Sequence, residues 1–120
     1  MGIAAFSFFL IMTSSGVNAA ATDCAHRLEN FLGSRRTEPR PDPDPRFKAM
    51  VENTGALILE AKDTKLKALQ VIEDGRFVAT FSSQVSKRGE RVEVLIDPSA
   101  AVLGYKIFQK SKASFQCAGI

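Results

Sequence analysis

The clearest structural signal in the chain lies at residues 66–81, which read LKALQVIEDGRFVATF. Two apolar runs, residues 66–72 and 76–81, flank an Asp-Gly pair at Asp74 and Gly75. Such a pair between apolar runs is a strong β-hairpin signal, because glycine accepts the positive φ that a tight turn requires. We therefore predict two antiparallel strands. Alternation places three side chains of the second strand on one face: Phe77, Ala79 and Phe81.

Three further strands are predicted after this hairpin. A polar loop at residues 82–89 leads into a segment in which Val92, Val94 and Ile96 alternate with charged residues. That alternation is typical of a strand with one buried face. Turn residues at 97–99 end it. The last two predicted strands are residues 102–108 and residues 114–117.

Upstream of the hairpin, the sequence predicts one well-marked helix. Asp44 can cap a helix that starts at Pro45, and apolar residues follow at helical spacing. These apolar residues are Phe47, Met50 and Val51. We expect the helix to end at residues 53–55, where Asn and Gly suit a left-handed cap, and residues 56–61 to form a buried strand. The fold class is therefore α+β, with one helix on an antiparallel sheet of about five strands.

The N-terminal third has a different composition. Residues 3–12 are an apolar run, interrupted only by Ser7, that is too short to span a bilayer, and small residues follow, so residues 1–20 are predicted to be a cleaved signal peptide. Residues 21–120 then form one domain. Residues 33–45 carry four prolines among charges and are predicted to be an exposed loop. Residues 24–32 fit either a short helix or a strand.

The chain has two cysteines, Cys24 and Cys117, near the two ends of the predicted mature domain. In a small secreted domain, a single cysteine pair is most simply a disulfide. Closing a loop of roughly 90 residues contributes about 4 kcal/mol to stability through lost chain entropy in the unfolded state.

Composition argues against most catalytic and metal chemistries. The chain has 16 basic and 13 acidic residues, a mild excess that does not identify a nucleic-acid binder. His26 is the only histidine, so a Ser-His-Asp site would have to use His26, and a zinc site with two histidines cannot be assembled. We interpret His26 as a surface residue beside the disulfide. No cofactor, no metal and no membrane partner is predicted.

Three segments of the C-terminal half resemble the small secreted guanyl-specific ribonucleases of fungi. They are GERVEV at residues 89–94, LGYKI at residues 103–107 and FQC at residues 115–117. The order of elements between the two cysteines is similar as well. The resemblance implies one helix packed on a curved antiparallel sheet with a terminal disulfide.

The resemblance covers the scaffold of these ribonucleases but not their catalytic residues. It places Arg91 at the phosphate-contacting arginine of the family, and Phe108 at the position of the catalytic histidine. The catalytic carboxylate corresponds to residues 67–69, where no acid occurs. RNA transesterification needs both a base and an acid within hydrogen-bond reach, so no catalytic residue and no enzymatic activity are predicted.

A group of basic residues falls where the related ribonucleases hold phosphate. The candidate RNA- or phosphate-binding residues are Arg91, Lys87, Arg88, Lys106, Lys110 and Lys112. The alternative is a charged, soluble surface, because Glu90 and Glu93 lie among them. The chain has one tyrosine and no tryptophan, so aromatic residues for base stacking are scarce.

A secreted ribonuclease-like domain without its catalytic residues is similar to the RNase-like proteins associated with haustoria, a class of plant-pathogen effectors. Members also end a few residues after their last cysteine, as this chain does after Cys117. Thr22 stands where members often have an aromatic residue, and the proline-rich segment at 33–45 is unusual for them.

This resemblance implies a secreted, non-enzymatic virulence effector of a plant-pathogenic fungus, with residues 21–120 as its ribonuclease-like effector domain. Its expected partners are a host plant protein, host RNA and a plant immune receptor, through which it would suppress immunity, and translocation into the host cell is a further expectation. Two alternatives stay open. One is an active secreted ribonuclease, and the other is a bacterial periplasmic enzyme inhibitor or immunity protein.

Overall fold

A computed structural model describes residues 23–119 of the chain as two helices and five strands. The first helix, α1, includes residues 23–32. The other elements are α2 (Pro45–Leu59), β1 (Lys65–Val71), β2 (Phe77–Ser82), β3 (Arg91–Ile96), β4 (Val102–Gln109) and β5 (Lys112–Cys117). The strands form one antiparallel sheet in chain order, so the predicted five-stranded meander is confirmed. The predicted signal peptide, residues 1–20, lies outside the described residues.

The β1–β2 hairpin forms where the Asp-Gly pair predicts it. Val71 pairs with Phe77, and Gly75 adopts a φ of 91°, a conformation that strains any residue with a Cβ. The Asp74 carboxylate accepts a hydrogen bond from the Arg76 N–H at 3.0 Å. The turn is therefore held by local groups that the sequence already contains.

The sheet has a separate apolar cluster on each face. One face packs against α2, and its fully buried side chains are Val51, Leu59, Ala79, Phe81, Val92, Val94 and Ile96. The other face packs against α1, and its cluster contains Leu28, Leu32, Ile72, Val78 and Leu95. One helix on each face makes a three-layer α/β/α arrangement. The sequence predicts only the second of these helices and leaves residues 24–32 open between helix and strand.

Helix α2 starts as predicted and ends later. Asp44 caps it by accepting from the Arg46 N–H at 2.7 Å, and Pro45 is its first residue. The helix then runs through Gly55 to Leu59, so the predicted end at 53–55 and the strand at 56–61 were both wrong. Gly55 serves as a contact point, because an added Cβ would lie 2.2 Å from the Phe81 ring. The left-handed cap falls at Glu60, with φ 52°.

The N-terminal helix settles the choice between helix and strand for residues 24–32. Leu28 and Leu32, four residues apart, are buried on one side of α1, which is the spacing of a helical stripe.

The predicted disulfide is present between Cys24 and Cys117, with a Cα–Cα distance of 6.1 Å and a sequence separation of 93. It ties α1 to β5.

The proline-rich segment is a largely exposed loop, as predicted, and it touches the edge of the sheet at one point. Thr37 and Val71 exchange backbone hydrogen bonds of 2.9 and 2.8 Å in an isolated antiparallel bridge.

Within residues 23–119, none of the helices is both long and apolar enough to cross a membrane.

Candidate functional site

The strand register arranges the sheet face opposite α2 into three rows that cross the strands. The row nearest the disulfide contains Gln70, Val78, Leu95, Gly104 and Cys117, and α1 packs beside it. The middle row contains Ala68, Thr80, Glu93, Lys106 and Phe115. The outer row contains Lys65, Ser82, Arg91, Phe108 and Ala113.

Two aromatic rings and two cations meet on the middle and outer rows. Arg91 and Phe108 face each other on neighbouring strands, and the guanidinium carbon lies 3.9 Å from the ring centroid. The Lys106 ammonium lies 4.8 Å from the centroid of Phe108 and 5.4 Å from that of Phe115. We call these four residues the basic-aromatic face. Cations at such distances are attracted by the negative face of the ring, so the four side chains support each other.

The two cations of this face differ in their acidic partners. Lys106 pairs with Glu29 of α1 at 2.9 Å. The salt bridges among residues 23–119 give Arg91 no carboxylate partner, and its side chain is exposed. Arg91 is therefore the cation of this face that is available to an anionic ligand.

Both acids that lie among the basic residues are engaged by the protein itself. Arg36, just after α1, binds both carboxylate oxygens of Glu93 at 3.2 Å and also donates to the Leu32 carbonyl at 2.6 Å. The Glu90 carboxylate accepts from the Lys110 N–H at 2.9 Å. Their negative charge is thus used in holding the loops and α1 in place.

Three of the predicted binding residues gather beside the outer row. Lys110 and Lys112 lie in and after the β4–β5 turn, and the Gln109 side chain donates to the Lys87 carbonyl at 3.2 Å. We call Lys87, Lys110 and Lys112 the basic rim. Arg88 does not join it, because its guanidinium pairs with Glu60, the residue after α2, at 3.2 Å. Lys112 pairs with Gln109, one residue from the outer row, so alternation places its side chain on the α2 side of the sheet. Of the six predicted residues, the structure brings Arg91 and Lys106 together on one face, with Lys87 and Lys110 in the loops beyond its outer row.

The loop that carries Lys87 is held by hydroxyl and carboxylate groups. The Ser86 hydroxyl donates to the Leu59 carbonyl at 2.6 Å and accepts from the Arg88 N–H at 3.1 Å. Hydrogen bonds from the Ser83 hydroxyl, and then from the Gln84 N–H, hold the pKa of the Asp63 carboxyl below its usual value of 3.8. The loop is therefore anchored at both its start and its centre.

The sequence does not predict the aromatic part of the site. The resemblance identifies Phe108 only as the residue in place of the catalytic acid, and the strand pattern identifies Phe115 only as part of the terminal strand. Both face the cations because of register, with Lys106 opposite Phe115 and Arg91 opposite Phe108. The available signal was alternation, since Lys106 and Phe108 are two residues apart and must share a face.

No catalytic arrangement is evident in the described part of the chain. His26 is exposed on α1, and residues 67–69 lie on β1, four strands away from β5. Residues 23–119 contain no group of three or more His, Cys, Asp or Glu residues placed to hold a metal ion.

The architecture defines an α+β domain of two helices and a five-stranded antiparallel meander, closed by one disulfide between α1 and β5. No family model, no curated protein and no solved structure matches the chain.

Proposed function

We propose that this chain is a secreted, non-enzymatic effector of a plant-pathogenic fungus that binds single-stranded host RNA on its basic-aromatic face. The observation that carries the proposal is the stack of Arg91 on Phe108, at 3.9 Å. In the resemblance to fungal ribonucleases, these two positions hold the phosphate-contacting arginine and the catalytic acid. Retention of the cation, with a ring in place of the acid, favours binding without cleavage.

The chemistry of the face suits a nucleic-acid strand. A base can stack on a phenyl ring whatever its identity, while nearby cations neutralise backbone phosphates. Phe108 and Phe115 supply rings, and Arg91 supplies an exposed guanidinium. Lys87 and Lys110 of the basic rim lie in the loops beyond the outer row, where the flanking phosphates of a bound strand would pass.

The same residues argue against catalysis of RNA cleavage. A phenyl ring can neither accept the 2′-hydroxyl proton nor protonate the leaving 5′-oxygen. The sole histidine, His26, lies on α1 and not on a strand of the face. We therefore propose recognition as the function, with immune suppression as its consequence in the host.

The test uses the oxidised domain, residues 21–120, and a fluorescent ten-nucleotide single-stranded RNA in an anisotropy titration. Phe108→Leu keeps an apolar side chain but removes the ring, so affinity should fall by about 5- to 150-fold, the value of one base stack. Arg91→Ala should weaken binding and lower the slope of log affinity against log salt by about 1.

Arg46→Ala is the matched control, because Arg46 is an exposed arginine on α2, on the opposite side of the sheet. It removes the same charge and should leave affinity within about twofold of wild type. Equal affinity of Phe108→Leu and wild type would refute the proposed site. Turnover of the RNA by the wild-type domain would refute the non-enzymatic proposal and favour the ribonuclease alternative.

Affinity purification from plant extract separates RNA from protein as the ligand. We expect host partners recovered on the domain to be lost after nuclease treatment. Some protein partners could remain after nuclease treatment and be lost when the basic-aromatic face is mutated. Such partners would show that the face binds a protein directly and not RNA. Fusion of residues 1–20 to a secretion reporter tests the signal peptide separately.

A further inference from the structure

The free edge of β1 is a second surface with the features of a ligand site, and it lies at the opposite edge of the sheet from β5. Thr37 pairs with Val71 through two backbone hydrogen bonds, so this edge already accepts one residue of an added strand. Because the bonds point away from β2, every second residue of β1 must direct its backbone groups to the same side. Leu69 is the next such residue.

The chain's own loop cannot continue this pairing. A strand running on from Thr37 would place Pro39 opposite Leu69, and proline has no N–H to donate. Within residues 23–119, the backbone N–H and C=O of Leu69 make no bond outside the sheet. The bulge between Leu66 and Ala68 interrupts the regular pairing on the N-terminal side of Leu69.

A groove of about 370 Å³ lies along this part of the edge. Its apolar lining comes from Leu66 and Leu69 of β1 and from Pro39 and Pro43 of the loop. An open edge beside apolar side chains and a rigid proline-rich wall is the arrangement that accepts an extended peptide by strand addition. Main-chain bonds give such a site affinity, and side-chain pockets give it specificity.

The charges around the groove specify the kind of peptide. Its lining includes three carboxylates, Glu38, Asp42 and Glu52, against two lysines. In the described part of the chain, none of the three carboxylates forms an ion pair. A basic side chain on the added strand would complete the charge pattern, whereas an acidic one would meet repulsion.

We propose that the β1 edge binds an extended segment of a partner protein, with a basic side chain between β-branched residues, as an added antiparallel strand. This surface is separate from the basic-aromatic face. The inference therefore does not depend on RNA binding.

The experiment is an NMR titration of the ¹⁵N-labelled, oxidised domain with the peptide acetyl-Thr-Val-Arg-Val-Thr-amide. We expect saturable shifts of the β1 amides, centred on Leu69. The same peptide N-methylated at its arginine, the residue that would lie opposite Leu69, cannot donate to the Leu69 carbonyl and should not bind. A peptide with Glu in place of Arg should bind more weakly.

Charge reversal in the groove gives a matched set of variants. Glu52→Lys should weaken the arginine peptide by about fivefold and improve the glutamate peptide. Glu73→Lys makes the same charge change in the exposed β1–β2 turn and should change neither affinity.

Several outcomes would overturn the proposal. They are absence of β1 shifts at millimolar peptide, equal binding of the N-methylated peptide, and an RNA oligonucleotide that shifts the same amides. Since the face and the groove involve different residues, Phe108→Leu should leave peptide binding intact. Failure of RNA binding and failure of peptide binding are thus distinguishable.

Discussion

Substitution of Gly55 by alanine tests the packing of α2 on the sheet. Gly55 is a buried residue inside the helix, and it faces Phe81. A Cβ at this position would lie 2.2, 2.4 and 2.5 Å from three carbons of the Phe81 ring. Phe81 has no exposed surface, and its neighbours Val92 and Val94 are also fully buried, so the ring has no free space to enter.

Two opposing effects set the size of the change. Alanine is favoured over glycine in a helix by about 1 kcal/mol. Overpacking of a dense core costs about 1–3 kcal/mol, and contact with three ring atoms puts this site at the upper end of that range. We therefore expect Gly55→Ala to lower the free energy of unfolding by about 1–2 kcal/mol.

Urea unfolding followed by far-UV circular dichroism measures this change as a lower midpoint with an unaltered slope. Asn53→Ala is the control, because Asn53 is exposed on the same helix and alanine should stabilise there by a few tenths of a kcal/mol. Phe81→Leu should cost less in the Gly55→Ala background than alone, since the smaller side chain relieves the overlap. If Gly55→Ala is as stable as wild type, the proposed contact between Gly55 and Phe81 is wrong.

Two further predictions concern the disulfide and acid pH. Reduction of Cys24–Cys117 opens a loop with a sequence separation of 93 and should lower the free energy of unfolding by about 4–5 kcal/mol; a loss below about 1 kcal/mol in urea titrations with and without reductant would contradict this. Hydrogen bonds, first from the Ser99 hydroxyl, lower the pKa of Asp97 from 3.8, so its contribution to stability is present above about pH 5 and is lost as pH falls through the folded-state pKa. The difference in Tm between wild type and Asp97→Asn should therefore shrink between pH 5 and pH 2.5, and a constant difference would refute the assignment.

The strands were predictable because their signals are local. The Asp-Gly turn, the alternation of Val92, Val94 and Ile96, and the short connections fixed both strand positions and a meander order. In such a sheet each strand pairs with its neighbour in the chain, so no long-range information was needed.

The helices were less predictable because their limits depend on tertiary contacts. Asn53 and Gly55 carry the local features of a helix end, yet the helix continues because Gly55 allows close approach to Phe81. Residues 24–32 have too few periodic positions to choose helix over strand. The sheet makes that choice by burying Leu28 and Leu32.

The candidate site shows the same division between local and non-local information. Residue type identified the cations, and two of them, Arg91 and Lys106, meet on one face at the Phe108 ring. The partner of each cation depends on register across strands, so Phe115 beside Lys106 and Glu60 beside Arg88 could not be derived from spacing. The resemblance identifies Phe108 only as the residue in place of the catalytic acid. Because Arg91 on the neighbouring strand stacks on its ring, Phe108 is the centre of the proposed binding site.

The disulfide and the proposed binding face lie at different ends of the same sheet surface. Cys117 belongs to the row covered by α1, whereas Arg91 and Phe108 belong to the outer row. The middle row lies between these two rows. The disulfide holds α1 over the row that contains Cys117. From this position, Glu29 on α1 and Arg36 just after it form ion pairs only with residues of the middle row. The outer row therefore stays uncovered because α1 is fixed elsewhere. A covalent bond that stabilises the fold in this way also leaves the Arg91–Phe108 stack accessible to a ligand.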